Sequence, residues 1–257
     1  MKKLFREIAV SVFLFFGILF ATLQVDWLKV LHLTPTIIGD KLSELVWDFI
    51  SSGLYEVDSE KVCLPIDTLV HEMCIANGID TASVSIVVAR TYEVNAFATV
   101  GNHLVVNTGL ISEMDNETQL SAALGHEMAH IQLGHIQKSI RQNAALQAIL
   151  ILVTGNSRSN NIRKITEKLI SSGITRAKER EADESGARYI DAMHLDAKEM
   201  AIMFEKFKDD NSLSYFKDHD NNQKRAAHIR EMHFTSKEPY RQILSPETWE
   251  AMQEVCR

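Results

Sequence analysis

Residues 126–130 read HEMAH. On a helix, residues four apart stand one above the other on the same face, so His126 and His130 can present two imidazoles to one Zn²⁺ ion. Glu127 lies about 100° further round such a helix. It is poorly placed to join the same coordination and well placed to reach a metal-bound water, whose proton it would take during attack on a carbonyl. A decoy occurs at His71-Glu72-Met73-Cys74, where no second histidine follows. That pair reads as a surface or capping feature.

Two histidines do not complete a catalytic zinc site, which takes three protein ligands and keeps one position open for water. His135 lies about 180° round the helix from His126 and cannot be the third. The longer pattern H-E-x-x-H-x-x-G-x-x-H also fails, because Leu133 and Ile136 occupy its glycine and final histidine places. A carboxylate from elsewhere is required. Residues 179–183 read EREAD. Glu179 and Asp183 share a helix face, so Glu179 could bind the metal while Asp183 orients a ligating histidine from behind. Glu181 points elsewhere, into solvent. On spacing alone the alternative stays open, since a charged helix of this kind is ordinarily a solvated face.

The elements that must position these groups can be read from periodicity. Apolar residues recur at helical spacing over 37–52, with Gly53 as a stop, and a second helix is expected over 66–77, closed by Asn77-Gly78. The period then changes. Ser83–Arg90 is rich in β-branched residues, and Asn95–Thr99 and His103–Asn107 flank Gly101-Asn102, which predicts a small three-stranded meander with a tight turn. Asp115 or Asn116 can cap a helix running to about Gln142. A short apolar helix at Ala144–Thr154, best read as core, precedes a polar loop over 155–161. Further helices are expected near 162–172, 175–193 and 196–208, then a polar loop over 209–222. The fold class is α+β and mostly helical, with a small three-stranded sheet followed by the helix that carries HEMAH.

The chain has 257 residues, 46% of them hydrophobic, with 27 Lys and Arg against 34 Asp and Glu. A net charge of −7 leaves no cationic face of the kind nucleic acid requires, so no nucleic-acid partner is expected. Three cysteines exclude a disulfide scaffold. Lys2, Lys3 and Arg6 precede an uncharged apolar run, Ile8–Val25, of about 18 residues. That is the pattern of a signal peptide or an N-terminal membrane anchor. No pair of small residues marks a cleavage site, which favours an anchor. Either way the body is expected to be exported. Cys63 and Cys74 could then pair, or remain buried thiols.

HEMAH followed by EREAD resembles the gluzincin-type zinc metallopeptidases that include HtpX, the CAAX prenyl proteases and the BepA-like periplasmic peptidases. The resemblance spans about residues 62–232. It implies a zincin-like fold with one Zn²⁺ per chain, and it places the third ligand on Glu179. The segment Asn95, Ala96, Phe97, Ala98 is similar to a family strand that lies beside the cleft and pairs with an extended protein or peptide substrate, a use that suits an exposed sheet edge. His219 and Arg225 keep the family's spacing of a histidine and an arginine six places on. In BepA-like proteins that histidine can approach the metal and hold the enzyme inactive. Asp220 stands where the family usually has proline, which bears on the loop's geometry. Arg225 has two readings, stabilising the oxyanion of a tetrahedral intermediate or tying down the C-terminal helix.

The expected organisation is a signal or anchor over 1–25, a helical segment over 26–61, the peptidase domain over 62–235 and a C-terminal tail or helix over 236–257. The expected function is zinc-dependent endopeptidase activity through a Glu127-activated water. The expected setting is envelope protein quality control in a bacterial periplasm, with membrane contact through residues 8–25 if that run is uncleaved. The alternative is a zinc-stabilised chaperone or assembly factor, self-inhibited through His219.

Overall fold

A computed structural model describes residues 43, 44, 46–48, 50–139, 175–207 and 222–257. The Ile8–Val25 run, the apolar segment Ala144–Thr154 and His219 lie outside the described residues. Among those described, no helix is long and apolar enough to cross a membrane.

Helix α1, Glu60–Asn77, starts six residues ahead of the expected position and carries Pro65 within it. It ends at Gly78, whose left-handed φ of 63° lets its N–H close on the last carbonyls. The sheet follows as β1, Ser85–Ala89; β2, Ala96–Thr99; and β3, His103–Asn107. Its order is β1-β3-β2, with β1 parallel and β2 antiparallel to β3. The expected meander is therefore wrong in one respect. The β2–β3 hairpin exists, turning through Gly101 (φ 74°) and Asn102 (φ 60°), but β1 joins the far side of β3 instead of pairing with β2. Burial explains the order. Leu104, Val105 and Val106 of β3 are all fully buried, as a central strand demands, whereas β1 begins with an exposed Ser85. Alternation in a sequence signals a strand and does not signal its neighbours. The consequence is that β2 sits at the sheet's edge.

Helix α2, Thr108–Glu113, leads into α3, Glu117–Gln132. Asn116 caps α3 by accepting a hydrogen bond from the Gln119 N–H. Nearly every α3 residue is buried, because the helix packs against β2 on one side and α4, Arg176–Ala192, on another. The continuous helix expected to reach Gln142 is interrupted. At Gly134 (φ 64°) the chain turns left-handed, and a new helical stretch covers residues 135–139. Thr175 caps α4 through the Lys178 N–H. Helices α5, Glu199–Lys206, and α6, Asn222–Glu231, pack together beyond α4, and α7, Pro246–Cys256, returns to cover α1 and α2.

The suggested Cys63–Cys74 pairing is excluded. Both lie on α1 eleven residues apart, about 16 Å along the axis. A disulfide needs Cα atoms within about 7 Å. All three cysteines are free thiols. In the decoy motif, Glu72 forms a salt bridge of 2.7 Å with Arg241, and His71 is exposed.

Candidate active site

Helices α3 and α4 cross at two glycines. A Cβ built on Gly125 would stand 3.2 Å from the Gly186 carbonyl oxygen, and one on Gly186 only 2.8 Å from the His126 nitrogen. With no side chain at either position, the backbones approach until the first turns of α4 reach the HEMAH face. Glu179 is delivered there, in the first turn of α4.

The outcome is a buried cluster of three donors. His126 Nε2 and His130 Nε2 are 3.1 Å apart. Glu179 places one oxygen 3.5 Å from the first and the other 3.6 Å from the second. His126, His130 and Glu179 are 0%, 1% and 5% exposed. Three ligands held about 2.0–2.1 Å from a tetrahedral Zn²⁺ would be roughly 3.3–3.4 Å apart, so these spacings fit that ion. Among the described residues this is the group whose donor atoms, all within 4.8 Å, could hold a metal. The sequence left Glu179 open between ligand and solvated face; its burial against both imidazoles excludes the solvated face.

Behind His126 stands a second layer. Asp183 approaches His126 Nδ1 at 2.8 Å and takes two hydrogen bonds from Arg225, from Nε at 2.9 Å and from Nη2 at 2.6 Å. The guanidinium also lies 4.0 Å over the Phe204 ring. Burial alone would lower the His126 pKa, but hydrogen bonds to Asp183 and Glu179 outweigh it, so in the metal-free protein it is pushed up to about 9. For Asp183, burial acts upward and the Arg225 charge overcomes it, holding the carboxyl well below the usual range. Arg225 thus reaches the Nδ1 side of His126, behind the ring whose Nε2 faces the other two donors.

Glu127 is 3% exposed, and its Oε2 accepts a hydrogen bond of 2.8 Å from the Ala98 N–H. Just before β2 the Asn95 carbonyl accepts from Asn107 N–H, and in β2 Phe97 sits opposite Val105. Alternation then turns the Ala98 backbone groups away from β3, towards Glu127. Ala96 and Ala98 are buried, while Phe97 and Asn95 are half-buried. The strand segment, Glu127 and the three donors are therefore one continuous site. His219 lies outside the described residues.

One residue was misplaced by the sequence reading. Because α3 breaks at Gly134, His135 does not lie opposite His126. It is 2% exposed, with Nδ1 only 3.1 Å from His130 Nδ1. Its Nε2 lies 3.3 Å from the carboxylate of Glu181, which is solvent-exposed as expected. The signal that could have found it is Gly134 itself, which can end a helix wherever a left-handed residue fits.

An α+β fold with a His-x-x-x-His helix, a distant carboxylate and an adjoining edge strand defines a zincin-like metallopeptidase domain. Comparison with known proteins agrees. Residues 64–233 match the model of peptidase family M48, and the chain belongs to that family. Its domain is accordingly of the metalloprotease class, a class that implies a metal and a peptide or protein substrate. The chain is 29% identical over 167 residues to "Metalloprotease LoiP" of Escherichia coli (strain K12), covering 61% of this chain and 66% of that one. It is 26% identical over 166 residues to "Metalloprotease YcaL" of the same organism, covering 61% and 65%. It is 28% identical over 129 residues to the "Beta-barrel assembly-enhancing protease" of Escherichia coli O157:H7, covering 46% and 26%. The matched region thus spans about two thirds of the first two relatives and about a quarter of the third.

Proposed function

We propose that this chain is a zinc-dependent endopeptidase of the cell envelope. The observation that carries the reading is the convergence of His126, His130 and Glu179 beside a Glu127 carboxylate anchored to the edge strand. Zinc held by those three residues would polarise the scissile carbonyl and acidify the attacking water. Glu127 accepts that water's proton and returns it to the leaving amine. The Ala98 N–H fixes the carboxylate while it does so. An extended substrate adds along the outer edge of β2 at Asn95, Ala96, Phe97 and Ala98, taking up backbone groups that β3 does not use. Asp183, itself held by Arg225, accepts from His126 Nδ1–H and so favours the tautomer that presents Nε2. For Arg225 a positioning role behind His126, which neither sequence reading included, is favoured over an oxyanion role, because its bonds run to Asp183 behind the ring.

Export and a part in envelope protein quality control are supported by the basic start with its apolar run and by the resemblance to BepA-like peptidases. A relative named for enhancing beta-barrel assembly adds to that support. The enzyme reading is favoured over a purely structural zinc site, which has no use for a carboxylate placed like that of Glu127.

The test is casein cleavage by the purified chain with zinc content measured alongside. Glu127→Gln should retain zinc and lose cleavage by about 10²–10⁴-fold. Cleavage that survives in Glu127→Gln would sink the mechanism.

A further inference from the structure

We propose that His135 and Glu181 are positioning residues for His130, forming a hydrogen-bonded relay behind it that matches the Asp183–Arg225 arrangement behind His126. The inference rests on the reading of His126, His130 and Glu179 as the metal-binding set.

The geometry fixes where the protons lie. If His130 offers Nε2 to a metal, its proton must be on Nδ1. That Nδ1 is 3.1 Å from His135 Nδ1, so the latter must be the acceptor. The proton of neutral His135 is then on Nε2, which faces the Glu181 carboxylate at 3.3 Å. Each contact has one donor and one acceptor, and no other neutral assignment satisfies both. The rings meet edge to face, with centroids 5.0 Å apart and planes at 70°.

The chain takes a specific turn to build this contact. On an unbroken helix His135 would lie about 140° from His130. The left-handed residue at Gly134 ends α3 and brings the next helical stretch back, so that His135 lands buried against His130. Glu181 comes from α4, the helix that also supplies Glu179 and Asp183. One helix therefore supplies the third donor and an outer partner for each imidazole. Glu181 is 58% exposed, so its part is the weaker, while buried His135 is the principal orienting group.

Zinc affinity of the purified full chain, measured by competition with a chromogenic chelator, tests the relay. His135→Phe keeps a ring and removes the acceptor, and should weaken zinc binding by about 10–100-fold. His135→Gln, which restores an acceptor oxygen, should recover most of that loss, as replacement of a merely space-filling ring would not. Glu181→Ala should weaken binding by less than His135→Phe. Long-range ¹H–¹⁵N spectra of zinc-loaded wild type should show His130 protonated on Nδ1 and His135 on Nε2. Folded His135→Phe that binds zinc as tightly as wild type overturns the relay. So does a wild-type spectrum with the His135 proton on Nδ1, which decides the matter even if His135→Phe does not fold. Wild type that binds no zinc overturns the metal reading itself, and the relay with it.

Discussion

The α-carbon of Gly186 faces the backbone nitrogen of His126 so closely that a Cβ at position 186 would come within 2.8 Å of it. This contact sets how near Glu179 comes to the two imidazoles, since both residues ride on α4. Gly186→Ala must push the helices apart. The expected cost is about 1–3 kcal/mol of stability from overpacking, with a fall in zinc affinity. Thermal melting and chelator competition would measure both, with exposed Arg188→Ala as the control. Wild-type zinc affinity in Gly186→Ala would show that the glycine contact does not set the site.

Zinc uptake should depend on pH through His126. A metal competes with the proton that this ring holds up to about pH 9 in the metal-free protein. Apparent affinity should therefore climb with pH, by up to about tenfold per unit, until the ring deprotonates unaided. The stability of metal-free protein should run the other way. Because the folded pKa is raised, the His126 contribution is complete below the unfolded value of about 6.5 and is lost as pH rises through about 9. Chemical denaturation of chelator-treated protein at pH 6 and pH 9 reads this directly. Equal stability at both would contradict it.

Asp183 and Arg225 are 2% and 5% exposed and hold each other through two hydrogen bonds. Removing one partner leaves a buried charge unmatched. Asp183→Asn and Arg225→Met should each cost on the order of 3–5 kcal/mol, the scale for breaking a buried pair. Because the Asp183 pKa is depressed, its stabilisation is present above the unfolded value of about 3.9 and fails only as pH falls below that. Wild type should thus lose stability towards pH 3, and Asp183→Asn should lose less of it over the same interval. Identical acid profiles would be evidence against the pair.

The outer edge of β2 can be probed at Ala98. Its N–H bonds to Glu127 and is not part of the ladder with β3, so proline there removes no ladder bond but displaces the Glu127 carboxylate that stands 2.8 Å from the nitrogen. Ala98→Pro should keep the β2–β3 pairing, cost some stability by stranding a buried carboxylate oxygen, and lower kcat/KM towards an unstructured protein, because the Glu127 anchor is lost. Circular dichroism paired with casein cleavage separates the two effects. Full activity in Ala98→Pro would show that the Ala98 anchor is not what positions Glu127 for catalysis.

What the sequence determined by itself was local. Helical periodicity placed His126 and His130 on one face and Glu127 off it, and the change to β-branched alternation marked all three strands. Spacing also put Glu179 and Asp183 on a shared face of α4. These features depend on residues within a turn or two of one another, and backbone geometry alone dictates them. Tertiary structure decided what distant segments do to one another. It put β1 beside β3, which left Leu104, Val105 and Val106 fully buried in the centre of the sheet. It brought α4 against α3 through Gly125 and Gly186, two residues whose importance lies in the side chains they lack. It also ended α3 at Gly134, which carried His135 round to His130. A glycine permits a left-handed turn or a close approach without demanding either, and only the packing of the whole chain selects which one occurs.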